Sequence, residues 1–345
     1  MAALPRGSDL TPTFGTEREK MVVMPLRRAL TITLAFATLA SACTGSDDPS
    51  VESPSASAAS STLALQVASS DLAVGAPQHF EVGVFSSDGQ GTKLLAFGRM
   101  SFAFSFLGEG GGDPQPGPSA TGTYVAAFGT PESGPEPAFT DPNDARGVYQ
   151  AEVAFGRAGP WQVTATVDVP ELGSQTLTAA FAVGRHHSLP APGDRALRTE
   201  NLTLDSTGVP PAAIDSRALD GSTVPDPDLH RWTIADALAE QRPILVLFAT
   251  PVFCQSRFCG PEVDGLEDLA QRYPDSAVFI HVEIWRNREK NMVNQAANDW
   301  LCCDASGNIT EPWLYLIGPD GVIKDRWGPL FDPNEVAKEL AELPR

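Results

Sequence analysis

The sequence predicts a multidomain chain, with an N-terminal all-β sandwich followed by a C-terminal α/β domain. Three observations predict it. Between residues 62 and 184, short runs alternate apolar with polar residues, and Gly and Pro separate them. From Leu229 onward, apolar runs alternate with stretches of helical spacing. Four of the five cysteines (Cys254, Cys259, Cys302 and Cys303) lie in that last third, so the N-terminal half folds without disulfides.

Length and charge narrow the function classes. The chain has 345 residues, enough for two domains. Its 43 acidic and 24 basic side chains leave a net charge of −19. Such a chain is a poor partner for nucleic acid, whose phosphates need Lys and Arg to neutralise them. The sequence contains no Gly-rich phosphate loop after a strand, no Gly-x-Ser-x-Gly, no His-Glu-x-x-His and no zinc-spaced cysteine couples.

Residues 1–43 read as an N-terminal extension and a signal peptide. Arg27 and Arg28 precede an apolar run, 29–39, too short to span a bilayer. Ala40-Ser41-Ala42 and then Cys43 follow, which resembles a bacterial lipobox. That resemblance implies lipidation of Cys43 and a lipoprotein at the outer face of the cell membrane. An ordinary cleaved signal is the other reading, and Met21 or Met24 is the more natural start. Residues 44–61, rich in Ser, Pro, Ala and Asp, read as a disordered tether.

Residues 62–184 supply the β pattern. Phe80-Glu-Val82-Gly-Val84, Phe102-Ala-Phe104-Ser-Phe106, Tyr149 to Phe155, Val163 to Val169 and Ser174 to Val183 each alternate. Spacing and punctuation predict an antiparallel sandwich of about seven strands. The Gly/Pro-rich stretch 108–142 reads as a long loop. The segment from Gly147-Val-Tyr149 to Gly159-Pro-Trp161-Gln-Val163 resembles the paired motif of small exported immunoglobulin-like domains of the YtkA/FixH type. Tyr149 and Trp161 read as core aromatics. Residues 185–228, rich in Pro, Asp and Ser, read as a linker, with His186 and His187 solvated at its start.

Residues 229–345 carry the α/β pattern. Thr233 caps a predicted helix over 233–241. A buried strand over 243–249 leads into Thr250-Pro-Val-Phe-Cys254-Gln-Ser-Arg-Phe-Cys259-Gly-Pro261 and a helix over 261–273. A strand over 277–284, a helix over 291–301, a hairpin of 313–317 and 322–327, and a helix over 333–343 complete the series. Cysteines where a strand meets a helix N-terminus are in the best place for tuning a thiol, because the helix dipole favours thiolate.

That order, with cysteines after the first strand, Glu311-Pro312-Trp313 before the hairpin and an Asp320-Gly321 turn within it, resembles the thioredoxin-like fold, and within it the exported TlpA-type thiol–disulfide oxidoreductases. The resemblance implies a redox-active disulfide between Cys254 and Cys259, and a cis Pro312 facing it. It also implies a substrate groove lined by Thr250, Pro251, Glu311 and Trp313. Its partners would be protein thiols or disulfides outside the cytoplasm, with no cofactor beyond the disulfide. The family spacing is Cys-x-x-Cys, whereas here four residues intervene. Helix register makes Cys254 the nucleophile and Cys259 the resolving thiol. A rival reading makes Cys259 the nucleophile, because Phe258-Cys-Gly-Pro261 resembles Trp-Cys-Gly-Pro with its second cysteine replaced by Glu262. Glu262, Glu283 and Glu311 are candidate carboxylates near the site, and Cys302-Cys303 read as structural or of unassigned role, with a redox relay as the other reading.

Two alternatives stand beside this reading. One is copper binding or delivery of the Sco type, through the two cysteines and a distant histidine such as His281, which otherwise reads as a core residue. The other is a non-enzymatic binding module with a structural disulfide.

Overall fold

A computed structural model describes residues 62–87, 91–108, 113–131, 134–170, 172–303 and 308–344. Arg27, Arg28, Cys43, the predicted signal and the tether lie outside them.

Nine strands form the N-terminal sheet: β1 (Thr62–Val67), β2 (Gln78–Ser87), β3 (Thr92–Ala96), β4 (Arg99–Phe106), β5 (Gln115–Ala126), β6 (Ala138–Thr140), β7 (Gly147–Val153), β8 (Gly159–Val169) and β9 (Gly173–Val183). They hydrogen-bond along one path, β6-β3-β2-β7-β5-β4-β8-β9, and β1 also pairs with β2. Every pairing among them is antiparallel. Alternation sends Met100, Phe102 and Phe104 of β4 and Trp161, Val163, Ala165 and Val167 of β8 into one core. Phe80 and Phe104 meet edge to face at 4.8 Å, a geometry worth about 0.5–1.5 kcal/mol beyond area burial.

β5 lies inside the stretch expected to be a loop. Its glycines, which read as loop punctuation, instead make room for aromatic rings. A Cβ on Gly117 would collide with the Trp161 ring, and one on Gly122 with the Phe102 ring. Glycine is required there by close approach across the sheet.

The C-terminal part contains α1 (Ile234–Ala239), β10 (Ile244–Ala249), α2 (Cys259–Arg272), β11 (Val278–Glu283), β12 (Trp285–Asn287), β13 (Met292–Val293), α3 (Gln295–Leu301), β14 (Trp313–Ile317), β15 (Ile323–Trp327) and α4 (Pro333–Glu342). Local chemistry sets the helix starts. Thr233 accepts from the Asp236 N–H at 3.0 Å, and Asp332 accepts from the Asn334 N–H with Pro333 in the first turn. The sheet order is β11-β10-β14-β15. β10 is buried along its whole length, which explains its unbroken apolar run. Between 185 and 230 the chain forms short 3-10 turns at Pro211–Ala213, Ser216–Ala218 and Pro227–His230.

The expected fold class, an immunoglobulin-like sandwich joined to a thioredoxin-like α/β domain, is corrected. The chain is β-rich, 39% strand against 18% helix, and large antiparallel sheets dominate it. The nine N-terminal strands form one sheet, eight of them along a single path with β1 added beside β2. In the C-terminal sheet the β10–β11 pair alone is parallel, and α2 provides its crossover. The expected helices are present as α1 to α4, so the correction lies in the sheets, where antiparallel pairing dominates and a single pair is parallel.

All described residues fall in one compact unit, 57–345. Arg326 of β15 joins its two parts. It pairs with Asp71 at 2.9 Å and bonds the Pro190 carbonyl at 2.9 Å, and both ionic side chains are buried. Burial pushes the Asp71 carboxyl up, but His187 and Arg326 outweigh it and bring it down to about 2. That stability is present above the ordinary value of 3.8 and is lost as pH falls through about 2. Arg326→Ala strands the buried carboxylate, so we expect it to destabilise the chain by about 3–5 kcal/mol in denaturant unfolding. Among the described residues no helix is long and apolar enough to cross a membrane.

Candidate functional site: the Cys254–Cys259 loop

The site starts where β10 ends. β10 delivers Thr250 and Pro251 to its C-terminal edge, and the chain loops through Cys254 before α2 begins at Cys259. Arg257 takes a left-handed φ of 67° at the end of the loop. Cys254 and Cys259 are joined as a disulfide, with their Cα atoms 5.9 Å apart.

The two sulfurs are not equivalent. Cys259 is fully buried in the core beneath β10, among Leu247, Val263 and Leu266. Cys254 is half-buried, with exposed Gln255, Ser256 and Arg257 following it. The Cys259 N–H donates to Cys254 Sγ at 3.3 Å, and the Ser256 hydroxyl lies 3.3 Å from the same sulfur. An amide from the first turn of a 14-residue helix, aimed at Cys254, favours negative charge there. The N-terminal sheet braces the loop. Phe258 packs with Val148, Ala127 and Leu330, and the Arg146 guanidinium donates to the Arg257 carbonyl at 3.3 Å.

Two carboxyls reach this region. Glu311 is half-buried and accepts from the Gln255 backbone N–H, next to Cys254. Burial, then the nearby Glu283, pushes it up to about 7. Glu283, at the end of β11, is itself buried, and burial raises it above its ordinary value although the Trp285 and Ser216 amides bond it at 3.1 and 2.9 Å. Glu262 points elsewhere. It is buried in α2, accepts from the Phe331 N–H at 3.1 Å, and burial holds it well above the ordinary carboxylate range.

The other expected site residues occupy these places. The Glu311–Pro312 peptide is cis, and Pro312 is buried. Thr250 and Trp313 are buried too, so Pro251 and Glu311 are the expected groove residues with exposed surface. Trp313 donates to Thr310 Oγ1 at 3.0 Å and lies under the Arg326 guanidinium at 4.9 Å, which makes it a packing residue. Cys302 and Cys303 are joined to each other at the end of α3. His281 is grouped with Asp215 and His230 rather than with either cysteine. Sequence reasoning missed Asp215, His230 and Ser256. The first two lie in or beside short 3-10 turns, which carry no apolar period to mark them.

The arrangement can perform thiol–disulfide chemistry, with one accessible sulfur, one buried sulfur and a carboxyl that titrates near neutrality. In comparisons with known proteins, no family model, no curated protein and no solved structure matches this chain.

Proposed function

We propose that the chain exchanges disulfides with protein partners through Cys254 and Cys259, outside the cytoplasm at a membrane surface. The observation that carries this reading is the asymmetry of the pair. Cys254 is reachable and receives the Cys259 N–H, while Cys259 is buried behind it. A joined Cys254–Cys259 pair also suits an oxidising compartment. The lipobox-like stretch ending at Cys43 supports a lipid anchor.

In the reducing direction, the Cys254 thiolate attacks one sulfur of a partner disulfide. A Cys254–partner bond forms, and the other partner sulfur leaves as thiolate and takes a proton. Cys259 then loses its proton and attacks Cys254 Sγ. This restores the Cys254–Cys259 bond and releases the second partner thiol. Two electrons pass from the cysteine pair to the partner, and the reverse sequence oxidises a partner dithiol. Buried Cys259 is shielded from competing thiols, so resolution is intramolecular. Glu311 supplies a proton acceptor or donor beside the loop at neutral pH.

Glu311 also sets an expected pH dependence. Its ionisation through about pH 7 places negative charge beside the loop and opposes the Cys254 thiolate. Glu311→Gln removes that charge, so alkylation of reduced Cys254 should become several-fold faster at pH 8 and change little at pH 5.5. The folded chain holds this proton more tightly than the unfolded one. Stability therefore falls as pH rises from 4.5 through about 7. The variant should lose that part of the fall, read as a higher melting temperature above pH 7.

The direct test is turnover. Reduced full-length chain, recycled by dithiothreitol, should cleave a protein disulfide such as that of insulin at least about tenfold faster than an equal concentration of free thiol. A rate no greater than the free thiol's overturns the proposal.

A further inference from the structure

We propose that Asp215, His230 and His281 form a buried binding site for a divalent metal ion of the zinc type, which clips the 211–230 segment to β11. The three side chains come from separate places. Asp215 precedes the Ser216–Ala218 turn, His230 ends the Pro227–His230 turn, and His281 lies mid-strand in β11. All three are fully buried.

The spacing fits a metal better than direct hydrogen bonds. Asp215 Oδ2 is 3.4 Å from His230 Nε2 and 3.3 Å from His281 Nδ1. These exceed the usual 2.7–3.2 Å of an N–H···O bond. They match the edge of about 3.3 Å expected of a tetrahedron whose metal–ligand bonds are about 2.0–2.1 Å. One ligand atom from each residue lies within 4.8 Å of the others.

Protonation points the same way. His281 Nε2 lies 3.2 Å from the Ala249 carbonyl, which can only accept, so Nε2 carries the proton. His281 Nδ1 then turns a lone pair toward the Asp215 carboxylate. A carbonyl on the far nitrogen is the usual support of a metal-bound histidine. Neither ring nitrogen of His230 has a hydrogen-bond partner. Arg217 fixes the orientation of the Asp215 carboxylate, donating from Nη2 to Oδ2 at 2.7 Å, from Nε to Oδ1 at 3.1 Å and Oδ2 at 3.2 Å, and from its backbone N–H to Oδ1 at 2.8 Å. With two imidazoles, one carboxylate and no thiolate, the set suits Zn(II) better than Cu(I).

The clip connects to the cysteine loop. Ser216, adjacent to Asp215, donates its N–H to Glu283 at 2.9 Å and accepts from the Val252 N–H at 3.2 Å, two residues before Cys254.

The test loads chelator-stripped, folded full-length chain with Zn(II) and measures bound metal by mass spectrometry and X-ray absorption. A single equivalent is expected, with a nitrogen and oxygen shell at about 2.0–2.1 Å and no sulfur at about 2.3 Å. The melting temperature should rise with added zinc. His230→Gln and His281→Gln should each weaken binding by at least about tenfold, while the Cys254→Ser/Cys259→Ser double variant retains it. Should the histidine variants misfold, the absorption spectrum of the unmodified chain decides alone. A folded chain that takes up no zinc, or a sulfur-containing shell, overturns the site.

Discussion

With Cys259 replaced by serine, the reduced chain will hold its partner as a stable mixed disulfide on Cys254. Attack needs only the half-exposed sulfur that receives the residue 259 amide, and Ser keeps that amide. Resolution needs the buried thiol, which the variant lacks. Turnover falls to the level of a free monothiol, while adduct accumulates on non-reducing gels and maps to Cys254 by mass spectrometry. Cys254→Ser is expected to do the opposite. Its remaining thiol lies in the core with Leu266 and Val263, so neither adduct nor turnover is expected. Adduct on Cys259 in the Cys254→Ser chain at a comparable rate would reverse the assigned roles and favour the Phe258-Cys-Gly-Pro261 reading.

Glu81→Gln will stabilise the chain increasingly as pH rises. Glu81 is fully buried on β2, accepts from the Gln150 amide at 2.9 Å, and burial pushes it up to about 8. Below pH 4.5 both folded and unfolded chains hold this proton. Between 4.5 and about 8 the folded chain keeps a proton that the unfolded chain has released, so stability falls across that window. The cost reaches about 5 kcal/mol near pH 9 at full burial. Gln retains the acceptor for Gln150 and carries no charge to desolvate. Little change is expected at pH 5 and a gain of about 2–4 kcal/mol at pH 9, read by urea unfolding at both values. Neighbouring His79 contributes in the same direction. Burial pulls it down, but Asp325 outweighs that and raises it to about 9, so its stabilisation is present below 6.5 and lost as pH rises through 9. Equal destabilisation of the variant at both pH values would contradict this account of Glu81.

Individual elements were more legible than their assembly. Trp313 to Ile317 is a strand as its apolar run predicts, and β7, β8 and β9 lie on the alternating runs. Thr233 caps a helix because its hydroxyl reaches Asp236. β5 was not legible, because the Gly117 and Gly122 that signal a loop are there to admit Trp161 and Phe102. The fold class was not legible either. Period-2 runs identify strands but carry little information about which strands pair, and that choice made one nine-stranded sheet.

For the site, the two cysteines stand out in the sequence because thiol chemistry is confined to few residues. Their ranking by exposure does not, since it depends on how α2 packs under β10. Glu311 reaches the loop through Gln255, a contact across more than fifty residues that no local pattern announces. Asp215 and His230 looked like linker because nothing periodic surrounds them, yet they meet His281 in the interior.

The most direct test of the central claim is the reduction potential of the Cys254–Cys259 bond in the full-length chain. It is obtained by equilibration in thiol buffers, alkylation and mass spectrometry of the two peptides. A potential between roughly −100 and −250 mV, with Cys254 and Cys259 reduced together, is the expected result for an exchanging pair. A bond that stays oxidised below about −300 mV would contradict it and leave the pair as a structural clip.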